Sequence, residues 1–258
     1  MSLEIIIKTC DGESIHGKNQ ERFCNADKKT IITKCISSIM NATMGRKEKT
    51  KITVIDDYSS EDCLNNIQKL LESYPHEAQF YTRDARDYNE ATLQYFELAK
   101  ESEYSLVYCV EDDYLHFPYA LAEMEDFYNL AFKNLNGTKD IALHPFDDPD
   151  NYIFRNMTPA NIVQGKMRHW RTNWYTTCTF MTTPGVINRH WEHFENFANG
   201  YGKNPKVSEN TTINNAWNSG DVQLFTPLPS LALHMQFEAN RDKMLDWKRL
   251  WDNVPNFL

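Results

Sequence analysis

No stretch of this 258-residue sequence approaches the roughly 18 consecutive apolar positions that a membrane-spanning helix requires. No long run of lysine and arginine occurs, and 27 basic against 36 acidic side chains give a formal charge of −9. Both facts weigh against nucleic acid or an anionic membrane surface as the main partner. The six cysteines (10, 24, 35, 63, 109 and 178) are scattered without a Cys-x-x-Cys pair, which excludes a disulfide scaffold. Cys35 and Cys109 fall in apolar patterns and are expected to be buried thiols. The chain opens on strand-like Leu3-Glu-Ile-Ile-Ile7 with no basic region or cleavage site before it, so a reducing, cytoplasmic location is the expectation. The Asn-x-Ser/Thr triplets at Asn41, Asn136, Asn156 and Asn210 are then background. Gly-x-Ser-x-Gly, P-loop and Gly-x-Gly-x-x-Gly patterns are missing, which disfavours serine hydrolases, P-loop kinases and dinucleotide oxidoreductases. His190 and His193 lack the His-Glu-x-x-His spacing of a zinc protease. No repeat, low-complexity tract or convincing linker divides the chain.

What is present can build a core, since 41% of residues are hydrophobic and 13% aromatic. Leu3 to Lys8 reads as a strand, and residues 13 to 28 as a long polar loop. Ile31, Ile32, Cys35, Ile36 and Ile39 recur at helical spacing. Lys51 to Asp57 is a second strand, followed by a helix that Ser59 or Ser60 caps. Ala78 to Thr82 is a third strand and Asn89 to Lys100 a helix. A fourth strand, Leu106 to Val110, leads to a helix over Tyr119 to Leu130. Alternating strands and helices predict a parallel sheet with helices on its faces. In the second half, β-like pieces fall at Asp140 to Leu143, Met167 to Asn173, Thr176 to Thr182 and Thr226 to Met235. Helices are expected at Val186 to Phe197 and Asn210 to Trp217, and the tail, Arg241 to Leu258, is amphipathic through Met244, Trp247, Leu250 and Trp251.

The most informative stretch is Ser105-Leu-Val-Tyr-Cys-Val-Glu-Asp-Asp-Tyr-Leu115, an apolar strand that ends in three acids. Clustered carboxylates at a core edge cost repulsion and desolvation, and one divalent cation relieves both. Strand alternation places Glu111 and Asp113 on one side and Asp112 on the other. The plainer reading is a strand-to-helix turn in which Asp112 or Asp113 caps the next helix. Two other strands also end in acid, at Asp11 and at the Asp56-Asp57 pair. Parallel neighbours would gather all three ends at one edge, where open α/β sheets bind their ligands.

Asp56-Asp-Tyr-Ser-Ser-Glu-Asp62 after a strand, followed by Val110-Glu-Asp-Asp-Tyr-Leu115, resembles nucleotide-sugar glycosyltransferases of the GT-A fold, closest to the family-2-like enzymes. The resemblance covers residues 3 to about 120 well and the remainder in outline. It implies an α/β, Rossmann-like three-layer sandwich with a mostly parallel central sheet. Residues up to about 135 would bind the nucleotide sugar, and 136 to 258 would shape the acceptor pocket. It further implies that Asp57 or Asp56 hydrogen-bonds the base, with Thr9 and Asp11 flanking the nucleotide and Arg83 and Arg86 near base or phosphates. Asp113 would ligate Mn²⁺ or Mg²⁺, while Asp112 or Glu111 touches ribose or a metal-bound water. Glu111 stands where the family's first Asp is expected, one methylene longer. His234, after Pro229-Ser-Leu-Ala-Leu, resembles a late histidine that returns to the metal; a backbone-satisfied histidine is the plain alternative.

The implied reaction moves a sugar from a nucleotide-diphosphate donor to an acceptor hydroxyl, with inversion, and needs a carboxylate base. Glu209 and Asp221 are the candidates, Glu209 preferred; its structural role would be a favourable charge in a helix first turn. Trp170, Trp174 and Tyr175 could stack on an acceptor glycan or pack in the core, and His144 to Asp148 could touch acceptor or form a turn. A metal-dependent nucleotidyltransferase and a silent sugar- or nucleotide-binding module are the alternatives.

Overall fold

The structure, a computed structural model, describes residues 1–12, 23–152, 159–235 and 245–258. Most of the predicted 13–28 loop, the Asn156 triplet and Met244 lie outside these residues. The chain starts as a βα alternation: β1 (Leu3–Thr9), α1 (Lys28–Thr43), β2 (Thr50–Asp56), α2 (Glu61–Ser73), β3 (Glu77–Thr82), α3 (Tyr88–Glu101) and β4 (Leu106–Glu111). A short β5 (Tyr114–His116) precedes α4 (Ala120–Leu135) and β6 (Asp140–Leu143). Next come β7 (Ile162–Gln164), β8 (His169–Asn173), β9 (Phe180–Thr182), α5 (Pro184–Arg189), α6 (Trp191–Gly200) and α7 (Asn214–Trp217). The last elements are β10 (Val222–Leu228), β11 (Ala232–His234) and α8 (Trp247–Asp252).

Among the described residues nine strands form one sheet in the order β3-β2-β1-β4-β9-β6-β10-β8-β7, and β5 pairs with β11 in a separate ribbon. Only β8 and β9 run against the other strands of the large sheet. The sheet is therefore mostly parallel, and it runs unbroken from the first half of the chain into the second. Its faces carry two apolar layers. On one, Ile5, Ile7, Tyr108 and Val110 meet α1, α2 and α4. On the other, Ile6, Val107 and Cys109 meet α3, α5, α6 and α7. Successive residues of β1 and β4 thus feed opposite layers, and both strands are buried on both faces, as apolar runs without alternation predict. Cys35 and Cys109 are fully buried.

Differences from the sequence reading are concentrated after residue 110. Neither Asp112 nor Asp113 caps a helix: α4 begins after Tyr119, with no side-chain cap, and the acids form a turn between β4 and β5. The predicted 186–197 helix is two helices that meet at His190, which lies outside the regular α region. The predicted 226–235 strand is two, β10 and β11, divided by Pro229, which has no N–H to continue a ladder. Strand β7 carries no alternation strong enough to be read. Asn210 to Trp217 is only partly helical, a 3-10 turn at Glu209–Thr211 followed by α7. In the described part of the amphipathic tail, Trp247 and Trp251 are buried in the α1 layer, against Phe117 and Phe23.

Two histidines are sealed in this framework. His116 Nε2 meets Tyr108 Oη at 2.6 Å and its Nδ1 meets the Tyr114 carbonyl at 2.9 Å. His144 Nδ1 lies 2.8 Å from the Thr179 carbonyl. Burial lowers both pKa values to about 4, against the smaller opposing effect of those carbonyls. The unfolded chain takes up these protons near the ordinary value of 6.5 and the folded chain only near 4, so stability is lost as pH falls through that window. Each histidine is expected to cost about 3 kcal/mol at pH 4. Urea unfolding at pH 7 and pH 4.5 should show His116→Gln losing less stability on acidification than the parent protein.

Candidate functional site

The parallel register brings three strand ends together: Thr9 pairs with Asp56, and Lys8 with Glu111. Around the first two ends a polar knot forms. Asp56, fully buried, accepts hydrogen bonds from Thr9 Oγ1 (2.7 Å), Ser59 Oγ (2.6 Å) and Ser59 N (2.7 Å). Burial raises its pKa, and these donors oppose the rise. Asp57 N donates to the Thr9 carbonyl at 2.8 Å, and Asp57 Oδ1 accepts from Asp87 N at 2.8 Å. Asp11 accepts from Ser60 N at 3.0 Å and from the Ser60 hydroxyl, while its own N–H donates to Ser59 Oγ at 2.9 Å. Asp56 therefore has its oxygens committed to the fold; Asp57 is buried too but holds fewer donors, and Asp11 is the partly exposed acid of the knot. Arg83 Nε lies 3.8 Å from Asp57 Oδ1, and its guanidinium also pairs with Glu90. Arg86 reaches the end of β1, where a side chain at Gly12 would strike its guanidinium.

The third strand end carries the acid triplet, and basic side chains from three other parts of the chain answer it. Glu111 faces the α3 layer, where its register partner Lys8 donates to Thr92 Oγ1 at 2.9 Å. Burial raises the Glu111 pKa, with Lys8 opposing. Asp112 turns to the α1 side, accepting from Cys10 N at 2.9 Å and from Lys28 Nζ at 2.5 Å. Asp113 does not rejoin Glu111 as simple alternation predicts, because β4 ends at Glu111. Its Oδ2 lies 3.3 Å from Lys28 Nζ, and its Oδ1 3.3 Å from His234 Nε2.

His234 arrives through the β5–β11 ribbon. It pairs with Tyr114, their rings stacked at 4.6 Å, while Met235 N donates to the Asp113 carbonyl at 2.7 Å. Burial pushes Asp113 up, but Lys28 and His234 outweigh it and hold the carboxyl below its usual range. Burial pushes His234 down, and Asp113, aided by Glu111, more than reverses it. Asp113 Oδ1 is buried and faces only His234 Nε2 at 3.3 Å, an ion pair too poorly aligned for a full hydrogen bond, so this oxygen is left under-satisfied among the described residues.

An under-satisfied buried carboxylate oxygen beside an imidazole nitrogen suits a divalent cation. Among the described residues no three His, Cys, Asp or Glu side chains converge as a self-contained site. Asp113 and His234 would therefore hold such an ion only together with water and phosphate oxygens, a common pattern for ions that a diphosphate shares. An open cleft of about 440 Å³ between the amino ends of α1 and α2 is lined by Asp11, Asp27, Lys28, Lys29, Ser60 and Glu61; Asp113 and His234 do not line it, and Lys28, which contacts Asp113, links it to the pair.

Of the two carboxylates considered as a base, Glu209 lies on the α3 side, in contact with Tyr201 Oη at 3.4 Å. Glu209 and Glu111 both act electrostatically on Cys178 and on Tyr201, so they flank a common region. Asp221 does not reach it. It precedes β10 at the opposite, amino end of that strand, bound to Arg189 (2.9 Å), His190 (3.2 Å) and the Ser219 hydroxyl. These partners explain a carboxyl lowered to about 2, the Ser219 hydrogen bond foremost. Trp170 is a core residue stacked on Phe127 at 4.1 Å, whereas Trp174 is partly exposed.

No family model matches the sequence, and no curated protein matches it. Solved structures do. GalNAc-T7 with UDP, GalNAc and Mn²⁺ superposes with a TM-score of 0.55 at 12% identity, over 93% of this chain and 45% of that one. The fold is that of the GT-A glycosyltransferases. TarS 1–349 of S. aureus, in complex with UDP, gives a TM-score of 0.52 at 12% identity, over 88% and 60%. The inositol-1-phosphate CTP transferase from T. maritima covers 97% and 95% at 13% identity, with a TM-score of 0.47. This chain spans about a third of the longer TarS structure and 60% of the 1–349 piece. Among the described residues no helix is long and apolar enough to cross a membrane.

The sequence reading missed Lys8, Lys28 and Ser59. Lys8 carried a signal, a single cation inside an apolar strand. Ser59 was considered only as a helix cap, yet the cap of α2 is Ser60. Because Asp56 serves the fold, Asp56→Ala should lower stability by about 3 kcal/mol, the loss of several charge-assisted hydrogen bonds in a buried place. Asp57→Ala, measured by the same chemical denaturation, should cost less.

Proposed function

We propose that the protein is a glycosyltransferase that moves a sugar from a nucleotide-diphosphate donor to a hydroxyl of a glycan or other acceptor. The observation that carries this reading is the Asp113–His234 pair, held at the carboxyl edge of a GT-A sheet and linked through Lys28 to an open cleft. The first half of the chain binds the donor. Asp57, with Arg83 behind it, accepts from the base; Thr9 and Asp11 border the nucleotide, and Arg86 faces its phosphates. Asp112 or Glu111 lies near the ribose or water. The second half, with Trp174 partly exposed, shapes the acceptor pocket.

Asp113 and His234 would hold Mn²⁺ or Mg²⁺, which when bound supplies Lewis-acid stabilisation of the departing diphosphate. Glu209 takes the proton from the acceptor oxygen as that oxygen attacks the anomeric carbon from the face opposite the leaving group, which inverts the configuration. The Tyr201 hydroxyl contact orients Glu209 for this role.

Incubation with Mn²⁺ and a panel of nucleotide sugars tests the reading. Release of nucleoside diphosphate with a new glycoside supports it. Pyrophosphate release would instead make the protein a nucleotidyltransferase, and binding without turnover a silent module. Asp113→Asn should weaken Mn²⁺-dependent donor binding about 100-fold. It should also lower stability slightly, since Lys28 and His234 make the ionised form the favoured one. His234→Ala should shift the Mn²⁺ requirement of donor binding to higher concentration in the same titration. Glu209→Gln should leave donor affinity unchanged and slow transfer by about 10²- to 10⁴-fold. Undiminished transfer by that variant removes Glu209 from the mechanism.

A further inference from the structure

The first residues of α1 run against their own helix. A helix amino terminus carries positive partial charge, favouring acids and disfavouring cations. Yet α1 opens with Lys28-Lys29 and has no acid in its first turn. The cap, Asp27, accepts from Thr30 N at 2.6 Å and offsets part of this cost. Most of the compensation comes from another part of the chain. Lys28 Nζ stands 2.5 Å from Asp112 Oδ1 and 3.3 Å from Asp113 Oδ2, with its side chain only 16% exposed. One ammonium therefore straddles two adjacent carboxylates at the edge of the core. Locally unfavourable choices that a tertiary contact repays are often found at functional positions.

We infer that Lys28 is a built-in counter-cation of the acid turn, and that a divalent ion enters by taking Asp113 from it. This rests on the cation site proposed at Asp113 and His234. A divalent ion on Asp113 and an ammonium 3.3 Å from the same carboxylate repel strongly in a largely buried site, where little water screens them. The contacts of Lys28 with these two acids are unequal. The short one, to Asp112, is the anchor, and the long one, to Asp113, is the one given up. Lys28 also lines the neighbouring open cleft, the side toward which it would shift while keeping Asp112. The consequence is selective: the bare protein holds a divalent ion weakly. The ion binds well once a nucleoside diphosphate brings negative charge for both the metal and the displaced ammonium. Metal and donor then bind as a coupled pair, each raising the affinity for the other.

The test uses the full chain and MnCl₂ alone, with free Mn²⁺ followed by electron paramagnetic resonance. Lys28→Gln removes the competitor and should bind Mn²⁺ about tenfold more tightly than the parent protein. Lys28→Arg keeps the charge and offers a planar fork that grips both carboxylates, so its Mn²⁺ affinity should be equal to the parent's or lower. Thermal melting checks folding independently. Lys28→Gln should melt lower than the parent in EDTA and gain more from added MnCl₂. Unchanged or weaker Mn²⁺ binding by Lys28→Gln overturns the exchange, as does tighter binding by Lys28→Arg. If no variant binds Mn²⁺, with UDP present as well, the cation site itself is wrong and the exchange falls with it.

Discussion

Three consecutive carboxylates at the mouth of a buried strand cannot stand unless each is answered by positive charge or by donors. That constraint explains why distant parts of the chain converge where they do. Glu111 is answered across the sheet by Lys8, its register partner on β1. Asp112 is answered by Lys28 from α1 and by a backbone N–H at the end of β1. Asp113 shares Lys28 and receives His234, which the β5–β11 ribbon carries back from near the end of the chain. Buried charges of one sign are expensive when bare and affordable when paired, so the acid triplet ties three elements to one spot.

The neighbouring strand ends solve a related problem differently. Among the described residues Asp56 has no ion-pair partner; it is satisfied by hydroxyl and backbone donors from Thr9 and Ser59. It thereby locks the turn from which α2 starts, with Asp57 buried beside it and Asp11 partly exposed. The two acidic strand ends look alike in the sequence, yet one is a structural knot and the other a charged turn with an under-satisfied oxygen. Their proximity sets a hydrogen-bonded knot beside a charged turn at one sheet edge.

The second half of the sheet follows from the same logic of edges. Strand β9 runs antiparallel beside β4, and Thr179 just before it receives the Glu111 N–H at 3.2 Å. The loop that carries Glu209 is brought to the α3 side of the same edge, whereas Asp221, a dozen positions later, is left at the far end of β10 by the direction in which that strand runs. Strand direction alone separates the two carboxylates. The aromatic tail closes the α1 layer from outside, with Trp247 and Trp251 filling space that the helix leaves.

The sequence determined the first half of the fold almost alone. Buried parallel strands must be apolar throughout, and amphipathic helices must keep their spacing, so β1 to β4, α3 and the acid at each strand end were legible within a residue or two, while α1 extends three to four residues beyond its 31–39 spacing at each end. Legibility fell where local signals are short. A proline divides β10 from β11, a histidine divides α5 from α6, and β7 has no pattern because it lies at an edge with little to bury. At the site, residue types were readable and their division of labour was not. Asp56 and Asp57 differ only in which direction a turn points them, and Asp221 was excluded only by the direction of its strand. Lys28 had a local trace, a cation where a helix amino end disfavours one, but its partners lie more than eighty residues away. Charge pairing acts through space, and only the tertiary structure decides which charges meet.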